Sequence, residues 1–201
     1  MNIEEPEQTQ ARAPNRLIVE EPSNDDNSIC LLNEEKMKEL KIFNGDPVVV
    51  RGKRRNKTLL IAVKDNKLPS NKIAFNKVAR GNLKLKIGDL STISPAETVP
   101  DLKKIHVLPY QDSIEGIAGD IVTSHLIPYF KDVSRPLHVG DRFIVRGNFR
   151  PVEFRVLAVE PGEFGIVTSQ TLLFTEGKPI VREEEDNSND VGYEDIGGCR
   201  R

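Results

Sequence analysis

The chain of 201 residues has no tryptophan, three tyrosines, two methionines, two cysteines and three histidines. Each scarcity removes a class of function. Cys30 and Cys199 lie at opposite ends of the sequence, so a disulfide framework is not expected and a reducing, intracellular compartment is favoured. Cys30 stands in an apolar run, where a buried, inert thiol is the ordinary outcome. His106, His125 and His138 join no cysteine–histidine set with zinc-ligand spacing, so no metal site is readable. His125 sits on an apolar helical stripe and reads as a satisfied core residue. There is no Gly-x-Ser-x-Gly elbow, no Asp-Thr/Ser-Gly and no G-x-x-x-x-G-K-[ST] phosphate loop. Catalysis within these residues is not expected. No apolar run approaches the roughly 20 residues of a membrane span, and no signal-peptide pattern opens the chain.

Charge is abundant but segregated. The formal net charge is −2, yet residues 41–90 carry 13 basic and 3 acidic groups. Residues 1–26 carry 7 acidic and 2 basic groups, and residues 176–201 carry 8 and 4. A basic centre between acidic ends speaks to partners rather than fold.

Residues 1–15 lack apolar periodicity and are expected to be disordered. From Leu17 onward short β-branched runs alternate with turn residues: 17–19, 29–32, 47–50, 59–63, 72–75, 83–87 and 90–93, then 105–108, 143–145, 152–159, 164–167 and 180–181. Many short strands predict a mainly β (α+β) chain of small barrels. Two helices are expected between them. "NEEKMKELKI" opens on the N-cap candidate Asn33, with Met37 and Leu40 on one face. "GDIVTSHLIPYF" places Ile121, Val122, His125, Leu126, Tyr129 and Phe130 on one stripe, with a kink or break at Pro128. The proline-containing stretch at 98–102 is the expected linker between a first module (16–97) and a second (103–176), followed by an acidic segment (177–201).

One device recurs. "NGDPVVVRGKRRN" and "VGDRFIVRGNFRP" share Gly-Asp, an apolar run and Val-Arg-Gly, and "IGDLSTIS" repeats the opening. Glycine reaches positive φ without strain and aspartate bonds nearby backbone N–H groups, so the pair turns the chain sharply into a strand. For Gly88-Asp89 and Gly140-Asp141 the role is read as architectural.

The basic stretch "RGKRRNKT" admits three readings. A basic barrel can hold nucleic acid, but single-strand readers add aromatic platforms. Only Phe43 and Phe75 occur between 41 and 90. A hairpin tip bearing solvated charge is the favoured alternative. The third is a face that meets an acidic protein segment, in this chain or on a partner.

"NRLIVEE", "MKELKIFNGDPVVVRGKRR", "GNLKLKIGD", "KKIHVLPYQDSIEGIAG", "PYFKDVSRPLHVGDRFIVRGNFRPVEFRV", "EGKPIVREEE" and "VGYEDIGGCRR" together resemble the amino-terminal domain of the valosin-containing-protein family, the ubiquitin-selective AAA+ segregases. The resemblance runs from about residue 15 to the end. It implies a double-psi β-barrel subdomain followed by a smaller four-stranded β-barrel. It also implies that "GYEDIGG" begins a first ATPase module. Asp195, Ile196 and Gly197 would then lie against adenine, and ATP/ADP and Mg would belong to the full-length protein, none to these residues. As it stands the chain is expected to be monomeric, its full-length parent a homohexamer.

The same resemblance implies an apolar groove between the subdomains that receives UBX-type domains, short linear adaptor motifs and a ubiquitin-recruiting heterodimeric cofactor. No nucleic acid is expected, and membranes are met only through adaptors. Implied locations are cytoplasm, nucleus and the ER surface. The matching positions are Asp26, Ile29, Phe43, Asn44, Gly45, Asp46, Ile61 and Val63, with Asp101 and Ser134 on the second wall. Phe43 would be an aromatic anchor, Gly45 would admit another backbone, and Asp26 and Asp46 could hold an arginine. For Phe43, Ile61 and Val63 ordinary barrel core is the other reading. The pattern departs from the family at Asn44, where arginine is expected, and at Asp101 and Ser134, where tyrosines are expected. A more polar second wall should weaken helical motifs most. Lys86, Arg146 and Arg150 match basic residues at the face shared with the motor, their other reading being solvated surface charge.

Overall fold

The computed structural model describes residues 13–147 and 150–182. Strands β1 (Arg16–Glu20), β2 (Ile29–Leu32), β3 (Pro47–Arg51), β4 (Lys57–Lys64), β5 (Lys72–Ala74) and β6 (Leu90–Pro95) close into a barrel in the order β1-β5-β2-β4-β3-β6. Closure removes every sheet edge. Helices α1 (Glu34–Leu40) and α2 (Lys77–Leu83) are capped by Asn33 and Asn76, whose side chains accept from the Glu35 and Ala79 N–H groups. Both end on a left-handed lysine, Lys41 and Lys84.

The barrel is an internal duplication. β1 pairs parallel with β5 as Ile18↔Lys72, and β4 pairs parallel with β2 as Ile61↔Ile29. A shift of 43 residues converts the first pairing into the second. It also converts Leu17↔Ser91 of the β1–β6 pair into Leu60↔Val48 of the β4–β3 pair. Two interlocked copies related in this way make the double-psi barrel. Their apolar residues, among them Leu17, Cys30, Val48, Leu60, Ile73 and Ile93, form one core. Burial pushes the Cys30 thiol up to about 12, so it stays protonated.

The second subdomain, expected as a smaller four-stranded β-barrel, is built from a four-stranded sheet and a two-stranded ribbon. A four-stranded sheet runs β12-β7-β10-β9, built from β7 (Lys104–Pro109), β9 (Arg142–Arg146), β10 (Pro151–Glu160) and β12 (Leu172–Phe174). A ribbon of β8 (Arg135–His138) and β11 (Phe164–Val167) packs on the same core through Leu137 and Val167. Tyr129, Phe143 and Phe154 stack in a row through it, with ring centroids 5.2 and 5.4 Å apart.

Three local expectations are corrected. Residues 83–87 are no strand: Leu83 ends α2 and the rest form the turn into β6. Leu-Lys-Leu-Lys-Ile alternates with period two, the same signal that a strand gives, whereas here it marks a helix end with Leu85 buried. Pro128 breaks nothing. It lies in the first turn of α4 (Ile127–Phe130), where a missing N–H is harmless. The irregularity falls just before it, as a π-helical turn over Val122–Leu126. Short helices α2 and α3 (Gln111–Ile114) were not expected, nor were strands β8 and β12.

Candidate functional site

The turn from α1 into β3 places Phe43 outside the barrel. Left-handed Lys41 reverses the chain, Ile42 drops into the core, and Phe43 is left 74% exposed. Four bonds hold the turn. Phe43 N–H donates to Asp46 Oδ2 (2.9 Å) and Gly45 N–H to the Ala62 carbonyl (2.7 Å). Ala62 N–H donates to the Asp46 carbonyl (2.8 Å), and Lys64 N–H to Asn44 Oδ1 (2.8 Å). Asn44 thus secures the turn to β4. The phenyl ring is exposed on a hydrogen-bonded turn, and the core reading of Phe43 fails.

The device recurs with the same bonds at all three Gly-Asp sites. Gly88 N–H donates to Val19 O and Val19 N–H to Asp89 O; Gly140 and Asp141 do the same with Val156. All three glycines have φ between 90° and 96°. In each copy the aspartate caps the N–H three residues before it: Phe43, Lys86 and His138. So Phe43 and Lys86, read from the sequence as belonging to two different faces, occupy equivalent positions of one repeated turn.

Ala62, to which the turn is bonded, lies between Ile61 and Val63. These two and Ile29 are half-buried, with Ile61 paired to Ile29 across the strands. Ile29 and Val63 cover a small cluster of Leu31, Leu68 and Ala74. On the other side, β4 packs beside β8 and β11. Asp101 bridges Ile166 of β11, and Ser134 immediately precedes β8; both are exposed. Ile29, Ile61 and Val63 thus lie on β2 and β4, whereas Asp101 and Ser134 lie at the β8–β11 ribbon.

Asp26 does hold an arginine, but one from this chain. Arg135 donates to Asp26 Oδ1 (3.0 Å), Ser28 Oγ (2.8 Å) and the Tyr129 carbonyl (2.7 Å), and its guanidinium lies 3.8 Å over the Tyr129 ring. Asn27 adds bonds to the Tyr129 hydroxyl (3.0 Å) and the Ile144 carbonyl (2.7 Å). Asn82 and Arg142 exchange two more across the seam. Sequence reasoning missed Asn27, Asn82 and Arg135, because an isolated polar residue gives no pattern until its partner is known. Arg146 pairs with Asp25 on the surface (2.8 Å), Lys86 is exposed, and Arg150 is exposed with its carbonyl 3.2 Å from His125 Nε2. That carbonyl can only accept, so Nε2 carries a proton, and Nδ1 lies 2.7 Å from the Ser124 hydroxyl. Asp195, Ile196 and Gly197 lie outside the described residues. Among the described residues no three His, Cys, Asp or Glu side chains cluster as metal ligands, and no helix is long and apolar enough to cross a membrane.

Asp141 carries a pH dependence. Its carboxylate is turned into the seam, where Thr58 Oγ1 donates at 2.6 Å. Burial pushes it up to about 7, with the Thr58 hydroxyl and the His138 N–H opposing. An unfolded aspartate titrates near 3.9. Below about pH 4 the group is protonated in both states. As pH rises towards 7 the unfolded state ionises first, so stability falls across that window and levels off above it. Asp141→Asn should flatten this decline in a series of thermal melts from pH 4 to 8. A variant whose melting temperature tracks wild type at every pH would remove Asp141 as the cause.

A duplicated, closed barrel bonded through a polar seam to a second β-subdomain defines a two-part double-psi module. The sequence profile described as "Cell division protein 48 (CDC48), N-terminal domain" matches residues 16–99, and that described as "Cell division protein 48 (CDC48), domain 2" matches residues 116–180. The chain belongs to this family: it is the N-terminal region of a CDC48-type AAA ATPase.

Proposed function

We propose that these two subdomains recruit adaptors to the ATPase, with the groove beside Phe43 as the docking site. The observation that carries this reading is a large aromatic side chain, 74% exposed, on a turn fixed by four hydrogen bonds. Rigid aromatic anchors lose little entropy on binding and dominate interface energetics. UBX-type domains, short linear motifs and a ubiquitin-recruiting heterodimeric cofactor are the proposed partners. The assembled protein would be a homohexamer using ATP and Mg to unfold or extract ubiquitinated proteins in the cytoplasm, nucleus and at the ER surface. Those tasks would include ER-associated degradation, proteasomal delivery and membrane fusion. Lys86, Arg146 and Arg150 would face the motor.

Phe43→Ala tests the reading. Truncating an exposed ring should change folding stability by no more than about 0.5 kcal/mol. Affinity for a UBX domain, measured by calorimetry, should fall by about 2 kcal/mol, roughly 30-fold. A change below about threefold in a fully folded variant would rule out Phe43 as the anchor. Helical motifs should bind more weakly than UBX loops, because Asp101 and Ser134 stand where the resemblance implies tyrosines and make the second wall more polar. The double substitution D101Y/S134Y should narrow that gap, and an unaltered gap would show that the second wall lies elsewhere.

A further inference from the structure

On the seam, a second cleft of about 370 Å³ lies between the β3–β4 hairpin, α2 and the Gly140 turn. Its lining is polar and basic. Arg55, Lys57 and Lys84 come from the barrel, and Arg142 and Arg155 from the second subdomain, against Asp141 and Glu163. Among the described residues Arg55, Lys57 and Lys84 form no salt bridge, so no described residue neutralises this charge. The hairpin tip adds an independent observation. Asn56 N–H donates to the Lys53 carbonyl at 3.0 Å, and the two central residues, Arg54 and Arg55, have φ of 56° and 64°. That turn favours Asn-Gly, and two non-glycine residues in left-handed conformations each carry a penalty of about 1 kcal/mol or more. Charge is kept at the cleft mouth against the local backbone preference.

We infer that this cleft seats an acidic polypeptide segment, and that the segment is residues 183–190 of this same chain. Acidic peptide fits better than nucleic acid because stacking surface is lacking: the cleft lining includes no phenylalanine, tyrosine or tryptophan. The path of the chain selects the occupant. Arg182 is held by Asp112 (2.7 Å) and Glu153 (3.0 Å) and lies 4.2 Å over the Tyr110 ring. Arg142, part of the cleft lining, sits over the same ring and 4.0 Å from the same Glu153. The chain therefore reaches residue 182 beside the cleft wall. Glu183, Glu184, Glu185 and Asp186 follow at once, with Asp190 after them. Eight extended residues span about 26 Å, ample to cross a cleft of this size.

The test compares amide NMR spectra of the 201-residue chain with those of E183Q/E184Q/E185Q/D186N. The Arg55, Lys57 and Lys84 resonances should differ between the two at about 50 mM salt and converge at about 0.5 M, where screening is strong. A free peptide of sequence 182–190 should bind the neutralised chain about tenfold more tightly than wild type, because the tethered segment competes at high effective concentration. Lys84→Glu should suppress both effects while leaving the rest of the spectrum folded. Superimposable low-salt spectra, or equal peptide affinity for the two chains, would overturn the assignment of residues 183–190. Failure of the peptide to shift any cleft resonance would overturn the acidic-segment site itself.

Discussion

Gly52→Ala is expected to be the most damaging single-methyl change in the barrel. A Cβ at this position would sit 2.1 Å from the Leu83 carbonyl oxygen and 2.6 Å from Leu83 Cβ, where real contacts do not occur. Neither atom can step aside cheaply. The carbonyl accepts from Lys53 N–H at 3.0 Å, and Leu83 is fully buried at the end of α2. Relief requires the β3–β4 hairpin to lift off α2, which places the expected loss near about 3 kcal/mol, the upper end of ordinary overpacking. Reduced freedom of the unfolded chain offsets about 0.4–1 kcal/mol of the clash. The net loss of about 2–2.6 kcal/mol lowers the melting temperature of a protein of this size by roughly 4–10 °C. A Gly52→Ala chain that melts with wild type would show that the hairpin is not held against α2. A Cβ at Gly147, the second copy's Val-Arg-Gly glycine, would sit 2.6 Å from His125 Nε2.

Arg135→Ala should cost about 2–3 kcal/mol and loosen the two subdomains from each other. The side chain is 14% exposed, and Asp26 32%. Removing it leaves Asp26 without its cation, Ser28 Oγ and the Tyr129 carbonyl without a donor, and the Tyr129 ring without the guanidinium stacked on it. Breaking a buried charge pair from one side is worth more than the pair contributes, because the abandoned partner stays desolvated. Partial exposure of Asp26 keeps the figure below that of a fully buried pair. Hydrogen exchange should report the loosening as faster exchange along β4 and β8, the strands that face each other. A double-mutant cycle with Asp26→Asn isolates the pair itself. Additive losses would mean that Arg135 acts through Tyr129 alone. Because Ser134 adjoins Arg135, the same substitution should also weaken adaptor binding at the second wall while leaving Phe43 in place.

Sequence alone determined most of the strands, the helix cap and the repeated turn, because these are local. Asn33 caps whatever helix follows it, β-branched runs extend, and Gly-Asp turns the chain wherever it stands. Ordered runs such as "NRLIVEE" and "VGYEDIGGCRR" also carried the family. The 43-residue repeat lay in the sequence too, as Asn33/Asn76, Gly45/Gly88 and Asp46/Asp89, but only the matched strand registers made it visible. Tertiary structure decided the rest. Phe43 inside and Phe43 outside are equally consistent with "IFNGD". The choice fell to the left-handed Lys41, which sends Ile42 into the core and leaves Phe43 to solvent. "LKLKI" has the period of a strand, yet α2 ends there because Asn76 caps a helix one turn too short for its periodicity to register. The seam of Asp26, Asn27, Thr58, Arg135 and Asp141 was illegible for one reason. Each of these residues makes its bond across the seam to a partner far along the chain, up to 117 residues away for Asn27 and Ile144. A polar side chain announces its role through its neighbours in space, and only the fold supplies them.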